Sequence, residues 1–460
     1  MRAITVDELT FAVRGKLLCG DGALRVDAFS TDSRTIAVGE VFVPIVGERF
    51  DGHDYIAQAL AAGAAGCLCA KAPAAVPEGK FCVLTGDTRL ALKRLATWYR
   101  AQFTLPIVQI TGSVGKTSTK EMVAGVLAGR YRTVRTEKNY NSDLGVPQTV
   151  FRIDETTEAA VIETGMDGAG QIRYLGEIVR PHIALITNIG DMHIEFLGSR
   201  ENILKAKCEI FENLDSDGVA VLNGDDPLLN TVSAPQRVIR CGSGETCGVR
   251  ISDVVDRGVD GVDCVVTTAR ARYALRIPTP GAHLVYAASM AVAVGEELGL
   301  TSEEIVRGVA AYEPSGERMR VERLAGGRVV LNDSYNAGPQ SMASALKTLS
   351  NTAAARRIAV LGDMKELGAR TGDAHREIGA LVGGLGIDTL LCVGESCRDY
   401  MAPEARAAGC ADVRWYERRE DAYGDLTEAL CPNAAVLLKA SHFSGRFDLI
   451  ADYLREYYSS

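Results

Sequence analysis

Short runs of consecutive apolar residues, each ending in a polar one, recur through the middle of the chain. Ala159–Glu163, Ile183–Asn188 and Val219–Asn223 have this form. A strand covered on both faces has no polar side to show, so such runs predict buried parallel strands rather than half-exposed ones. Helical stretches separate them, and the β–α rhythm extends from about residue 104 to 313. In open parallel sheets ligands collect at the carboxyl ends of the strands. Glu163, Asn188 and Asn223 are therefore expected to gather at one rim. The segment Val249 to Ile277, rich in Val, Thr and Arg, predicts a β insertion.

The same alternation, on a smaller scale, flanks this region. Toward the amino end, Val41–Val46 and Phe81–Leu84 predict strands. Tyr55–Ala65 predicts an Ala-rich helix ending at Gly63 or Gly66, and Leu90–Gln102 predicts an amphipathic helix closed by Pro106. Toward the carboxyl end, Ile358–Gly362, Leu390–Gly394 and Val436–Lys439 predict strands, and Ala353–Ala355 predicts helix. Pro314-Ser315-Gly316 is the expected second linker. A chain of 460 residues suits about three domains. The expected fold is α/β in three domains, 1–103, 104–313 and 314–460: a small α/β unit, a mostly parallel P-loop sheet and a Rossmann-like α/β unit.

Composition narrows the function. A hydrophobic content of 47% with 24% charged residues is that of a globular chain, and no run approaches the ~20 apolar residues of a membrane span. Asp7 and Glu8 stand where a signal peptide would carry its apolar core, so a cytoplasmic protein is expected. The net charge of -9 argues against a nucleic-acid partner. The twelve cysteines include no pair of C-x-x-C motifs of the kind a zinc site requires.

The most informative stretch is Ile107–Lys120, I-V-Q-I-T-G-S-V-G-K-T-S-T-K. It reads as strand, Gly-rich turn and helix, with Lys and hydroxyls at the helix start. Gly112 and Gly115 let backbone N–H groups approach a polyphosphate. Lys116 would meet the β/γ-phosphates and Thr117 a magnesium ion. The usual pattern wants Gly where Ile110 stands, so only a shortened form fits. Glu163, ending the strand of V-I-E-T-G-M, suits a magnesium ligand or, alternatively, a capping acid. His193 suits a metal or a structural role. Leu204–Phe211 reads as an amphipathic helix with exposed lysines. Asp32-Ser33-Arg34-Thr35 and the turns at Gly47–Arg49 and Asp51–His53 suit a diphosphate or sugar, or are plain surface turns. Arg318, Asn332–Pro339 and Leu361–Gly368 of the third domain could close over a nucleotide at the P-loop.

Together these stretches resemble the Mur ligase family of bacterial cell-wall synthesis. The matching motifs are D-S-R-T, G-E-R-F-D-G-H, T-G-S-V-G-K-T-S, E-K-N-Y-N, T-N-I-G-D-M-H, L-K-A-K-C-E-I-F, N-D-S-Y-N-A-G-P-Q-S-M and V-L-G-D-M-K-E-L-G. The shortened P-loop belongs to that family, and the two third-domain motifs most resemble its D-alanyl-D-alanine-adding branch. The resemblance implies ATP and Mg2+ as cofactors, with UDP-N-acetylmuramoyl-tripeptide and D-alanyl-D-alanine as substrates of a monomeric enzyme. It assigns the ATP phosphates to Gly112, Ser113, Gly115, Lys116, Thr117 and Ser118. It assigns metal ions to Thr117, Glu163, His193 and Lys207, the last as a carbamate. Lys116, Glu163, His193 and Lys207 form its catalytic set. Arg318 and Asp333 are implied at the nucleotide, and Ser33, Arg34 and Thr35 at the UDP end. Asn139 and Asn141 are implied along the muramoyl path, with Asn336, Lys439 and Ser441 toward the acceptor. The chain departs from the family pattern at Leu284 and Ala287, where relatives carry asparagines, one of which helps hold the adenine, and at Gly338. A sister ligase, a folylpolyglutamate synthase or a silent nucleotide-binding relative is the competing expectation.

Overall fold

The computed structural model describes residues 1–441 and 445–459. Its centre is a nine-stranded sheet. In spatial order the strands are Arg272–Ile277, Val262–Thr267, Val249–Asp256, Arg237–Gly242, Val219–Asn223, Ile183–Ile186, Ile107–Thr111, Ala159–Glu163 and Thr133–Arg135. From Val249–Asp256 onward, neighbours pair in parallel. The predicted runs Ala159–Glu163 and Val219–Asn223 are strands over those residues, buried at every position, and the run at Ile183 is a strand to Ile186. The β insertion is an antiparallel meander that extends this sheet, and its last two strands alternate buried and open positions.

A five-stranded sheet precedes it, ordered Lys16–Cys19, Phe81–Leu84, Gly66–Cys69, Val41–Phe42 and Phe29–Ser30. The strand predicted over Val41–Val46 is only Val41–Phe42. Pro44 has no N–H for a ladder, and Gly52 folds back to bond its N–H to Ile45 O at 3.0 Å. The Ala-rich helix is likewise shorter, Ile56–Ala61, because Gly63 takes φ +118° and turns the chain. Helix Thr88–Arg100 starts on Asp87, whose side chain accepts from Leu90 N at 2.9 Å. Its buried face, with Leu95 and Tyr99, shares one apolar core with Ile107, Ile162 and Ile178 of the central unit. The first two sheets are therefore joined through side-chain packing.

The third sheet has six strands, ordered Arg320–Leu324, Arg328–Asn332, Ala435–Lys439, Arg357–Gly362, Thr389–Val393 and Asp412–Tyr416. Only the first is antiparallel to its neighbour. Ala353–Ala355 is not helical. Helix Pro339–Asn351 stops at an extended Thr352, and Ala355 N pairs with Asn433 O at 2.8 Å, which steers the chain into the next strand. Backbone pairing here overrides alanine's helix propensity. Among the described residues no helix is long and apolar enough to cross a membrane.

Candidate active site

The P-loop is built as the sequence suggests, and the neighbouring strand ends hold it. Strand Ile107–Thr111 leads through Gly112–Gly115 into helix Lys116–Ala128. Gly112 has φ +148°, and a Cβ there would stand 1.9 Å from Thr187 Oγ1, so only glycine fits. Gly115 takes φ +83° at the helix start. Ser113 N donates to Asn188 O at 3.0 Å and Val114 N to Asn188 Oδ1 at 2.9 Å. Asn223 Nδ2 donates to Thr187 O at 3.1 Å. The polar strand ends Glu163, Asn188 and Asn223 thus meet at one rim and line the same cavity, whose volume is about 960 Å³.

Glu163 is buried at this rim, and Lys116 and His193 are half-buried. Thr117 Oγ1 donates to Glu163 Oε2 at 2.8 Å, and Asn141 Nδ2 donates to Glu163 Oε1 at 2.8 Å. Lys116 Nζ bonds Gly112 O at 2.8 Å, and burial pulls its pKa below the ordinary lysine value. His193 sits in the left-handed region at φ 64°. Its Nδ1 lies 2.8 Å from Glu366 Oε2 but out of line for a hydrogen bond. Burial, with Lys116 and Lys207 adding to it, pushes His193 down to about 4. These effects favour the neutral imidazole, the form that ligates metals, against the pull of the Glu366 carboxylate.

Lys207 corrects the expected exposed lysines. Lys205 is exposed, but Lys207 is buried beside Ile203 and Ala206 on the inner face of helix Arg200–Cys208. Among the described residues it has no ion pair, and burial first, then Lys116, holds its amine well below the ordinary lysine range. The spacing Ile203, Ala206, Lys207, Ile210 is an i, i+3, i+4, i+7 stripe, a signal that could have placed Lys207 inward.

The third sheet closes the cavity from the other side. The Arg318 guanidinium stacks 3.6 Å from the Tyr335 ring centre. Asp333 Oδ2 accepts from Lys439 Nζ at 2.5 Å, and Lys439 also donates to Asn336 O at 2.9 Å. Ser441 Oγ donates to Asn336 Oδ1 at 3.2 Å, just outside the cavity wall. Ser344 Oγ and His283 Nδ1 lie 2.7 Å apart, and Glu195 N donates to Glu366 O at 3.4 Å, so the third unit is docked on the central one. At Gly338 a Cβ would stand 2.6 Å from Sδ of the flexible Met192 side chain. Leu284 and Ala287 both line the cavity, with Met290, as an apolar wall.

Of the predicted residues, Ser113, Gly115, Lys116, Thr117, Ser118, Asn141, Glu163, His193, Arg318, Asp333, Asn336 and Lys439 line this one cavity. Gly112 and Lys207 lie outside its lining. Asn139 is exposed. Ser33, Arg34 and Thr35 lie apart, in the turn after Phe29–Ser30, where Arg34 pairs with Asp32 at 2.7 Å. Sequence reasoning missed Glu366, inside a motif it had marked, and Arg89, which reaches the cavity from an otherwise ordinary amphipathic helix. A further group, Asp363, His375 and Cys397, brings possible ligand atoms within 4.8 Å of one another. Its groups are already engaged: His375 Nε2 accepts from Met364 N at 3.1 Å and Asp363 Oδ1 from Cys397 N at 2.9 Å.

A phosphate loop on a parallel sheet, faced by a docked Rossmann-like unit, is the architecture of an ATP-dependent peptide ligase, and the chain belongs to the Mur ligase family. Family profiles match at residues 25–99 (Mur ligase family, catalytic domain), 110–295 (Mur ligase middle domain) and 317–442 (Mur ligase, glutamate ligase domain). The UDP-N-acetylmuramoyl-tripeptide–D-alanyl-D-alanine ligase of Bacillus subtilis is 34% identical over 431 residues, 93% of each chain. The Escherichia coli enzyme of the same name is 35% identical over 398 residues, covering 86% of this chain and 87% of that one. The crystal structure of MurF from Acinetobacter baumannii superposes with a TM-score of 0.91 at 29% identity, covering 99% of both chains. MurF from Thermotoga maritima, solved in complex with ADP, gives 0.83 at 25% identity, covering 94% and 98%.

Proposed function

We infer that this protein joins D-alanyl-D-alanine to UDP-N-acetylmuramoyl-tripeptide, converting ATP to ADP and phosphate through an acyl phosphate, and so makes a pentapeptide precursor of the cell wall in the cytoplasm. The observation that carries this reading is the shared cavity. Its P-loop, Thr117–Glu163 pair and His193 face Arg318, Asp333 and Lys439 from the third sheet, in a chain whose relatives carry that activity in their names.

The residues fit their parts. The Thr117 hydroxyl and Glu163 carboxylate offer hard oxygen donors 2.8 Å apart, the set that magnesium prefers. An ion held by Thr117 and Glu163 would supply positive charge to neutralise the ATP phosphates. Lys116 and the backbone of Gly112–Gly115 cradle the same phosphates, and phosphoryl transfer between two anions needs this neutralisation and alignment above all. The peptide carboxylate attacks the γ-phosphate. The amine of D-alanyl-D-alanine then attacks the acyl carbon, and phosphate leaves. Lys207, held toward its neutral amine by burial, is in the form that adds CO2 to give a carbamate, which would turn it into a metal-binding anion beside His193. Arg318 and Asp333 clamp the nucleotide, with Leu284 and Ala287 giving the adenine an apolar wall. Asn139 and Asn141 guide the muramoyl group, Ser33, Arg34 and Thr35 meet the UDP end, and Asn336, Lys439 and Ser441 serve the acceptor. Exclusion of water by the docked third unit protects the acyl phosphate.

The test is phosphate release from ATP with magnesium, with each substrate alone and both together. Release that needs both the muramoyl tripeptide and D-alanyl-D-alanine supports the reading. Release driven by a different amino acid overturns it in favour of a sister ligase.

A further inference from the structure

Where the third unit meets the central one, two non-glycine residues in the left-handed region face each other. His193 has φ 64° and Glu366 has φ 62°. Non-glycine residues stay in that region only where their surroundings hold them there, and such strain gathers at functional sites. Each of these two is held by its own core. Ile194, next to His193, packs on the apolar cluster of the central unit that contains Ile203 and Ile210. Met364 and Leu367, on either side of Glu366, are buried in the core of the third unit.

The two loops are locked together around that contact. Glu195 N donates to Glu366 O at 3.4 Å, and a Cβ on Gly368 would touch Glu195 Cα at 3.4 Å. Asp191 Oδ2 accepts from Arg200 Nη2 of the central unit at 2.8 Å and lies 3.7 Å from Arg370 Nη2 of the third. Within this lock Glu366 Oε2 stands 2.8 Å from His193 Nδ1. The contact is out of line for a hydrogen bond, and contacts of this kind tighten as the reacting complex forms. His193 lines the cavity, whereas Glu366 lies behind the ring, outside the lining. Nδ1 is buried, and Nε2 makes no hydrogen bond among the described residues, so Nε2 is the nitrogen left to take a ligand.

We propose that Glu366 is a positioning residue for His193: the docked third unit sets a carboxylate behind the imidazole that accepts from Nδ1–H and leaves Nε2 as the metal-binding atom. The assignment rests on the ligase reading above, in which His193 holds a metal ion. A histidine that donates its second ring N–H to a carboxylate is fixed in one tautomer and one orientation, and becomes a more basic ligand. Here the carboxylate and the imidazole come from different units. A metal ion on His193 and the docking of the third unit therefore favour each other, because linkage is reciprocal. The metal site is complete only in the docked arrangement, the one that shields the acyl phosphate from water.

The test compares the full chain with His193→Ala, Glu366→Ala, Glu366→Gln and the double variant His193→Ala/Glu366→Ala. In Glu366→Ala the magnesium concentration for half-maximal phosphate release should rise by about 10-fold or more, the usual cost of losing such a partner. Glu366→Gln keeps the shape and an oxygen that accepts from Nδ1–H, so its rise should be smaller. In the double variant the loss should equal that of His193→Ala alone, because a positioning residue acts only through its partner. A second readout does not depend on turnover. With Mn2+, the muramoyl tripeptide and a non-hydrolysable ATP analogue, pulsed electron paramagnetic resonance should show the 14N coupling of a bound imidazole in the intact protein. The coupling should vanish in His193→Ala and weaken in Glu366→Ala. An unchanged magnesium requirement or an undiminished coupling in Glu366→Ala, or a Glu366→Ala loss that persists in full without His193, overturns the positioning role and leaves the ligase reading standing. No imidazole coupling in the intact protein, a coupling that survives His193→Ala, or a magnesium requirement untouched by His193→Ala overturns the metal role of His193 and this proposal with it.

Discussion

Thr117 Oγ1 and Glu163 Oε2 meet at 2.8 Å, linking the first turn of the P-loop helix to the end of the neighbouring parallel strand. A hydroxyl on a rigid helix and a carboxylate on a rigid strand need little rearrangement to share a cation. Asn141 fixes the other carboxylate oxygen at 2.8 Å.

Glu163→Gln keeps the shape of this pair and removes its charge. The magnesium concentration for half-maximal turnover should rise by about 10- to 100-fold, with the melting temperature little changed. Magnesium titration of phosphate release checks this, and an unaltered titration would return Glu163 to a structural role.

Lys207 has no acidic partner among the described residues and is held toward its neutral amine. Lys207→Ala should lower turnover by about 10²-fold or more, the scale of losing one electrostatic stabiliser. Short carboxylic acids such as acetate should restore part of it, by placing a carboxylate where the carbamate would stand. Labelled bicarbonate should give a carbamate carbon signal in the intact protein and none in the variant.

His375 illustrates a pH effect away from the reaction. Burial lowers its pKa below the ordinary 6.5, and its Nε2 accepts from Met364 N at 3.1 Å. The folded state therefore binds fewer protons than the unfolded state just below pH 6.5, so this residue makes stability fall as pH drops through that range. His375→Gln, neutral throughout, should be less stable at pH 8 yet lose less stability than the intact protein between pH 7 and pH 5. Melting temperatures across that range check it.

What the sequence reveals and conceals follows from how each feature is made. Buried parallel strands are uniformly apolar, so Ala159–Glu163 and Val219–Asn223 show themselves, and their polar last residues mark the rim. The P-loop is local in sequence, so Gly112 to Thr117 could be read directly. Ala353–Ala355 could not, because a distant pairing with Asn433 decides its conformation. The strand at Val41 is cut short by Pro44 and by the return of Gly52, again a tertiary matter. Arg89 and Asp143 are 54 residues apart and belong to no motif; only the packing of helix Thr88–Arg100 on the central unit brings them together. Ser33, Arg34 and Thr35 lie in a recognisable motif, yet outside the cavity that gathers most of the others.

The central claim is that the peptide carboxylate is activated as an acyl phosphate. Its most direct measurement is turnover of a UDP-N-acetylmuramoyl-tripeptide carrying 18O in the terminal carboxylate, with mass analysis of the phosphate released. With both carboxylate oxygens labelled, the account predicts one 18O in each phosphate formed together with the pentapeptide product. Phosphate free of label, with the pentapeptide still made, would contradict it.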